Sequence, residues 1–391
     1  IWSVGNEIME QWESTGVRIT RELAGIVKAL DKTRPVTTAN NEVRGSVNTL
    51  IQSDALDLIG FNYHHESFEP FPRYYPGKKF IATETASSLA TRGHYDMPSD
   101  SIRRWPIAWD KPFVEGNPDH TVSAYDHVSA PWGSTQEETW KIIKKHDYLS
   151  GQFIWTGFDY IGEPTPYGWP SRSSYFGIVD LAGFPKDTYY MYQSEWTTTP
   201  VLHVFPHWNW PNGKVIDVWA YYNNADEVEL FLNDKSVGIR KKQGDELHVS
   251  WRLAFAPGTL RAVSRKNGKD VVVREIKTAG KPARIILEAD RSVLNHSGSD
   301  LSFVTVKVVD EQGVLVPDAD NLITFSVTGN GVVAGVDNGD PVTHASFKAL
   351  ERKVFHGLCL LVVRGNATAG TIRIKATAAG LTPAALNVEV R

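Results

Sequence analysis

Cysteine is almost absent from this sequence. The 391 residues contain one, Cys359, so no internal disulfide can form. It lies in the apolar run Gly357–Val363, where a small buried side chain is the expected role. The fold must therefore be held together by apolar cores and hydrogen bonds.

Strong net charge and clusters of basic residues are also lacking. The chain has 41 Lys and Arg against 45 Asp and Glu, for a net charge of −4. We therefore expect no nucleic-acid partner. No apolar run is long enough to cross a bilayer, so we expect no membrane partner. A length of 391 residues favours two or three domains.

Tryptophan and tyrosine are missing from the last part of the chain. All 13 Trp lie between Trp2 and Trp251, and the last Tyr is Tyr222. Such a change in composition indicates a change in the kind of domain. Ligand-binding modules often present exposed aromatic rings. We therefore interpret the part after Trp251 as spacer or stabilising domains.

Strand and helix patterns alternate in residues 1–200. Strand candidates cover residues 1–4, 36–39, 56–63, 79–83 and 152–155. Apolar side chains at helical spacing run from Ile19 to Leu30, and Ser134 with Glu137 fits a capping box before another helix. This alternation predicts a parallel sheet or barrel.

The pattern becomes all-β from about Val201. Short apolar runs alternate with Gly, Asn and Asp turns, and Gly280–Pro282 resembles a linker. The spacing predicts two β-sandwich domains, over residues 201–279 and 280–391.

Two glutamates occupy equivalent places after strand candidates. Glu7 ends the segment Trp2–Glu7, and Glu84 follows the strand candidate at 79–83. A barrel presents the carboxyl ends of its strands at one face, so both side chains can reach one pocket. Glycoside hydrolysis needs such a pair, about 5–5.5 Å apart for retention or about 6.5–9.5 Å for inversion. Either glutamate alone would be interpreted as an ordinary strand-end residue.

Four segments, in order, resemble glycoside hydrolase family 2. They are Trp2–Glu7, Gly60–Tyr63, Phe153–Pro164 and Tyr175–Lys186. The two all-β parts resemble accessory sandwiches of a bacterial β-galactosidase subgroup. The resemblance implies part of a (β/α)8 TIM barrel, strands four to eight, in residues 1–200. Two immunoglobulin-like β-sandwich domains would follow.

The resemblance also implies the catalytic pair. Glu7 would be the general acid/base and Glu84 the nucleophile, and Tyr63 would orient Glu84 by a hydrogen bond. These roles are typical of double displacement, in which the glycosyl group is held covalently between two steps.

Substrate-binding roles follow in the same way. Asn6 would bind the sugar 2-hydroxyl, Trp155 would form an apolar wall, and His64 is a weaker candidate for a hydroxyl contact. Adjacent histidines at 64 and 65 diverge on most backbones, and no zinc-binding motif is present. We therefore expect neither a metal nor another cofactor.

The implied function is a retaining exo-β-glycosidase, with a β-galactosidase as the leading hypothesis. Its substrate would be an oligo- or polysaccharide with a terminal β-galactoside. The same fold could take another glycone, as in a β-glucuronidase or β-mannosidase. A glucuronidase needs a cation for the sugar carboxylate, and Lys186 and Arg172 are weak candidates. A non-catalytic, carbohydrate-associated sandwich protein is the third hypothesis.

The resemblance begins at the fourth strand of the family's eight-stranded barrel. We therefore expect the chain to be part of a longer protein and to be inactive alone. The partner covering the sheet edge would be the N-terminal part of the same protein, or another copy in a homo-oligomer. Bacterial relatives with such tails are often exported, which favours a periplasmic or secreted location.

Overall fold

The computed structural model describes residues 1–391, and these form two units, of which the first alternates strands and helices and the second is mostly β. The first comprises Ile1–Ala90, Asp100–Pro118 and Tyr125–Gly157; the second comprises Thr91–Ser99, Asp119–Ala124 and Phe158–Arg391. None of the helices combines the length and apolar character that crossing a membrane requires.

A parallel sheet organises the first unit. The strands of this unit are β1 (Trp2–Asn6), β2 (Val36–Asn40), β3 (Leu58–Asn62), β4 (Lys79–Ala86), β5 (Arg103–Arg104), β6 (Val128–Ser129) and β7 (Leu149–Trp155). Strands β1, β2, β3, β4 and β7 pair in that order, all parallel. Strands β5 and β6 form a separate parallel pair.

Helices separate the successive strands of the main sheet. They are α1 (Thr15–Leu30), α2 (Thr49–Gln52), α3 (Phe71–Tyr74) and α4 (Gln136–Lys145), with 3-10 turns at Met9–Trp12 and His65–Ser67. This is the strand and helix alternation that the sequence predicts for residues 1–200. Parallel strands need such crossovers, which return the chain to the starting edge of the sheet.

The central strands of the sheet are buried along their whole length. Every residue of β2 and β3 is buried, as is usual where helices cover both faces of a parallel sheet. Strand β2 is nevertheless polar, so its side chains need partners. The hydroxyl of Thr37 donates to the Leu58 carbonyl at 3.0 Å, and the amide of Asn40 donates to the Gly60 carbonyl at 2.7 Å. These bonds tie β2 to β3.

A capping box begins helix α4 one residue later than the sequence suggested. The side chain of Thr135 accepts from the Glu138 backbone N–H at 3.2 Å, and the Glu138 carboxylate accepts from the Thr135 N–H at 2.8 Å. The predicted pair, Ser134 and Glu137, makes no such box: Ser134 pairs with the hydroxyl of Thr139. The buried carboxylate of Asp126 accepts from the next two N–H groups of the helix.

Two antiparallel sheets share one apolar core in the first β part of the second unit. After helix α5 (Asp187–Trp196) come β8 (Leu202–Phe205), β9 (Val215–Tyr222), β10 (Glu227–Leu232), β11 (Lys235–Arg240), β12 (His248–Ala254), β13 (Thr259–Lys266) and β14 (Lys269–Lys277). One sheet has the order β12-β9-β8 and the other β11-β10-β13-β14. Val218 and Trp251 from the first meet Leu230 and Ala262 from the second, which is the packing of a β-sandwich.

The remaining strands enclose a second core. They are β15 (Arg284–Ala289), β16 (Val293–Leu294), β17 (Leu301–Val309), β18 (Leu322–Gly329), β19 (Gly331–Asp337), β20 (Glu351–Lys353), β21 (Leu358–Gly365), β22 (Gly370–Thr377) and β23 (Ala384–Val390). Their sheets have the orders β15-β17-β21-β19 and β16-β23-β22-β18-β20. Cys359 on β21 is fully buried in this core, and burial raises the pKa of its thiol far above the ordinary range.

A buried arginine joins distant segments of the second unit. Arg92 Nε lies 2.6 Å from a carboxylate oxygen of Asp180, and the two side chains are only 9% and 1% exposed. The other end of the guanidinium donates to the carbonyls of Asn338 at 2.9 Å and Phe355 at 3.0 Å. Gly339, with φ of +77°, passes so close that an added Cβ would lie 2.1 Å from Asp180. Arg92 thereby contacts residues that lie between 88 and 263 positions away in the sequence.

Candidate active site

The carboxyl ends of β1, β3 and β4 carry three of the residues predicted to act on a sugar. Glu7 directly follows β1, Tyr63 directly follows β3, and Glu84 lies near the end of β4. These strands run parallel in one sheet, so their carboxyl ends meet at the same edge. Side chains far apart in the sequence are therefore brought together.

The backbone turns sharply where the strands end. Glu7, Tyr63 and Ser87 have φ values of 50°, 55° and 60°. This left-handed conformation costs a residue with a Cβ about 1–2 kcal/mol, and such strain is concentrated at functional sites. Two backbone bonds hold the turns: Glu7 N–H to the Ala39 carbonyl at 2.9 Å, and Tyr63 N–H to the Glu84 carbonyl at 2.6 Å.

One amide contacts both predicted catalytic glutamates. Asn62 Nδ2 lies 3.0 Å from Glu7 Oε1 and 3.3 Å from Glu84 Oε2. The sum of these two distances limits the separation of the two oxygens to about 6.3 Å. The Asn62 side chain is fully buried, and its oxygen accepts from Thr83 Oγ1 at 2.7 Å. That bond fixes which end of the amide faces the carboxylates.

A chain of hydrogen bonds leads to Glu84 from the other side. The indole N–H of Trp132 donates to Ser87 Oγ at 3.2 Å, and the Ser87 hydroxyl donates to the Tyr63 oxygen at 3.0 Å. The Tyr63 hydroxyl in turn donates to Glu84 Oε1. Burial first, and then the negative charge of Glu84, raise the pKa of Tyr63 well above its ordinary range. The phenol therefore stays protonated and acts as a donor.

Two further predicted residues lie at the same edge. Asn6 Oδ1 accepts from the amide of Asn62 at 3.0 Å, so Asn6 belongs to the same polar cluster as Glu7. Trp155 ends β7, where it pairs with Ala86, and its carbonyl accepts from the Ser87 N–H at 3.2 Å. Five of the six predicted site residues are thus joined through Asn62 or Ser87.

His64 has different neighbours. Its Nδ1 lies 3.0 Å from Glu66 Oε1, and this hydrogen bond raises the pKa of His64, whereas burial lowers the pKa of His65. Both histidines nevertheless face the same carboxylate, because His65 Nδ1 lies 3.9 Å from Glu66 Oε2, so the two side chains do not diverge as predicted. No three His, Cys, Asp or Glu residues of the chain are grouped in a way that could hold a metal ion.

Comparison with known proteins points to one family. Residues 285–387 match the model of glycoside hydrolase family 2 C-terminal domain 5, and residues 213–272 match a domain of unknown function, DUF4982. The chain is 51% identical to beta-galactosidase BoGH2A of Bacteroides ovatus. The alignment is 419 positions long, gaps included, and covers 99% of this chain and 49% of the relative. The chain belongs to glycoside hydrolase family 2.

Two other similar proteins are more distant in sequence. A beta-glucuronidase of Formosa agariphila is 24% identical over 97% of this chain and 36% of the relative. The crystal structure of a beta-glycosidase from Bacteroides vulgatus superposes with a TM-score of 0.85 at 29% identity, covering all of this chain and 50% of that one. The chain thus spans about half, or less, of the length of the curated relatives it matches.

The sequence analysis did not predict three residues of this candidate site. Asn62 links the two glutamates, Thr83 orients Asn62, and Ser87 links Tyr63 to Trp132. Asn62 and Thr83 directly precede Tyr63 and Glu84, so their position next to predicted site residues was the available signal. Ser87 lies three residues after Glu84, in a stretch without periodicity, and nothing in the sequence singles it out.

Proposed function

We propose that the chain carries the catalytic pair of a retaining exo-β-glycosidase that removes terminal β-galactosyl residues from oligo- or polysaccharides. The observation that carries this proposal is the contact of Asn62 with both Glu7 and Glu84, which limits the separation of their oxygens to about 6.3 Å. That limit applies to one oxygen of each carboxylate, and it admits the separation of about 5–5.5 Å between carboxyl groups that is typical of retaining enzymes.

Glu84 suits the role of nucleophile because neutral donors hold it in place. Tyr63 donates to one carboxylate oxygen, and Asn62 lies within hydrogen-bonding distance of the other. Hydrogen bonds to a carboxylate favour its charged form, which is the form that attacks the anomeric carbon. Attack forms a bond between Glu84 and the sugar as the bond to the leaving oxygen breaks.

Glu7 suits the role of general acid/base. It would donate its proton to the leaving oxygen in the first step and take a proton from water in the second. That water then displaces Glu84 and restores the free enzyme with net retention. Asn6 would bind the 2-hydroxyl, a contact that strengthens in the transition state. Trp155 would wall the sugar site, and His64 would contact a hydroxyl.

The domain arrangement is part of the same proposal. Residues 1–200 would be the C-terminal part of a (β/α)8 barrel, supported by five parallel strands that pair in chain order. Residues 201–279 and 280–391 would be two immunoglobulin-like accessory sandwiches, supported by two separate apolar cores.

A glucuronide substrate is the second candidate, because relatives named as beta-glucuronidases also match the chain. Such a sugar needs a cation for its carboxylate. Lys186 is only 1% exposed and lies 2.7 Å from Asp159, and the guanidinium of Arg172 lies over the ring of Phe347. Lys186 therefore already has an anionic partner, which weakens the case for it as the cation that binds a sugar carboxylate. Relative rates on a panel of aryl β-glycosides decide between the glycones.

The test uses chemical rescue in the longest natural polypeptide that contains these 391 residues. Glu84→Gly and Glu7→Gly should each lower hydrolysis of an aryl β-galactoside by at least about 10³-fold. With added azide, Glu84→Gly should form the α-galactosyl azide and Glu7→Gly the β-galactosyl azide, because azide replaces the missing carboxylate on opposite faces of the sugar.

Glu13→Gln is the matched control, because Glu13 is exposed and lies after the 3-10 turn that follows β1. It should retain parental rates. Unchanged hydrolysis by both glycine variants would remove Glu7 and Glu84 as the catalytic pair, whereas a parent protein that hydrolyses no aryl β-glycoside would favour the non-catalytic sandwich protein. The same azide anomer from both variants would overturn the assignment of roles.

A further inference from the structure

Trp109 is an exposed aromatic ring that the proposed chemistry does not use. It belongs to the long segment between β5 and β6 and is 76% exposed. One side of its ring lies against Trp132, with centroids 4.6 Å apart and planes at 31°. An indole that is packed on one side and open on the other can bind the apolar face of a ligand, while the N–H edge of the indole stays in contact with solvent.

The segment that carries Trp109 is anchored on both sides. Strand β5 pairs with β6, which ends three residues before Trp132. Trp105 is 3% exposed, and its backbone N–H donates to the Ser129 carbonyl at 2.8 Å. Arg104 Nη2 lies 3.0 Å from both carboxylate oxygens of Glu138 in helix α4. The exposed ring is therefore held on a fixed support, which lowers the entropic cost of binding to it.

Trp109 is also connected to the candidate nucleophile. Its stacking partner, Trp132, donates to Ser87, and Ser87 donates to Tyr63, which donates to Glu84. The open face of Trp109 is thus separated from the reacting carboxylate by one indole ring and two hydroxyl groups. These contacts separate Trp109 from Glu84, so a ligand on its open face would occupy a different place from the sugar that Glu84 attacks.

We infer that Trp109 forms the binding platform for the aglycone, the sugar on the leaving side of the cleaved bond. This inference rests on the proposed function, because it assigns the neighbouring subsite of the same reaction. The occupant would be a pyranose ring whose axial C–H groups pack on the indole. Trp109 would then determine which β-galactosides are cleaved fastest, without touching the galactosyl group.

The experiment compares Trp109→Ala with the parent on two substrates, a β-galactosyl disaccharide and methyl β-galactoside. We expect kcat/KM for the disaccharide to fall by roughly 3- to 10-fold and kcat/KM for methyl β-galactoside to stay within about 2-fold. Trp109→Phe keeps an aromatic ring and should recover most of the loss. The longest natural polypeptide containing the chain is used throughout.

A second experiment measures transfer of the galactosyl group to an added sugar, the acceptor, which would bind in the aglycone subsite. With a free monosaccharide present, the galactosyl-enzyme partitions between water and the sugar acceptor. Trp109→Ala should lower the fraction of disaccharide product by several-fold, because the acceptor occupies the same platform. Tyr74→Ala is the matched control, since Tyr74 is similarly exposed, at 67%, but ends helix α3 just before the start of β4, at the edge of the sheet opposite to Glu84. It should alter neither readout.

The outcomes separate the two proposals. If the parent hydrolyses neither substrate, the proposed function fails. If the parent is active and Trp109→Ala lowers both substrates equally, or neither, the aglycone platform is wrong while the proposed function stands. A loss confined to the disaccharide, with less transfer to the acceptor and recovery in Trp109→Phe, supports the platform.

Discussion

At the scale of single residues, the site depends on the direction of its hydrogen bonds. Trp132, Ser87 and Tyr63 each donate toward Glu84. An indole nitrogen can donate but cannot accept, so Trp132 fixes the direction of the whole chain. Hydrogen bonds aligned in one direction polarise one another, and this series ends at the negatively charged carboxylate of Glu84.

Asn62 is the residue whose loss should affect both glutamates together. We expect Asn62→Ala to lower kcat/KM for an aryl β-galactoside by roughly 10²- to 10³-fold, as removal of one preorganised donor does elsewhere. Thermal unfolding would show whether the variant is folded. An activity within 5-fold of the parent would contradict the importance of this amide.

Thr83 provides the control for that prediction, because its hydroxyl sets the orientation of the Asn62 amide. Thr83→Val has nearly the same shape without the donor and should lose part of the activity. Thr83→Ser keeps the donor and should stay close to the parent. Equal activities in the valine and serine variants would show that the Asn62 amide keeps its orientation without the Thr83 hydroxyl.

At the scale of elements, helix α4 is the best test of local structure. Thr135→Ala removes the side chain that accepts from the Glu138 N–H, so the free energy of unfolding should fall by about 1 kcal/mol. Thr135→Ser keeps the hydroxyl and should be nearly neutral. Thermal unfolding of the three proteins gives the comparison, and equal melting temperatures for alanine and serine would refute the cap.

The N-terminus of α4 also predicts a pH dependence. Burial, and then the charge of Glu137, raise the pKa of Asp126 from 3.8 to about 6. The folded state then holds this proton more tightly than the unfolded state. The resulting stability is fully present below about pH 4 and is lost as the pH rises through about 6.

Asp126→Asn does not titrate, so it should gain stability relative to the parent between about pH 4 and pH 7, by up to about 3 kcal/mol. Unfolding midpoints measured in steps across this range give the difference. A difference that is constant with pH, or that changes in the other direction, would show that the carboxylate is ionised throughout.

The strands of the sheet could be predicted from sequence, whereas the contacts at their ends could not. The candidates at 36–39 and 79–83 lie within β2 and β4, because short apolar or β-branched runs mark buried strands. The capping box was displaced by one residue, because Ser and Thr stand side by side at 134 and 135 and both are plausible caps. Asn62 bonds to residues 55 and 22 positions away, and only the three-dimensional arrangement of strands reveals such pairs.

At the scale of the whole molecule, Arg92 is a buried charge whose removal should destabilise the second unit. Arg92→Ala leaves the carboxylate of Asp180, which is 1% exposed, without its cation. Breaking a buried pair in this way typically costs about 3–5 kcal/mol. We expect a marked fall in the unfolding temperature, measured by calorimetry.

Arg18→Ala is the control for that prediction, because the pair of Arg18 with Glu22 is exposed, at 70% and 61%. Exposed pairs contribute about 0–1 kcal/mol, so its unfolding temperature should barely change. Similar effects of the two substitutions would mean that Asp180 finds another partner.

The burial of Cys359 has a practical consequence for studying the molecule in solution. Its thiol is enclosed in an apolar core and is held in the unreactive protonated form. A cysteine introduced at an exposed position would then be the only nucleophilic sulfur within reach of a maleimide dye. Two such positions, one in each compact unit, would give a donor and an acceptor for energy transfer, without first removing a native thiol.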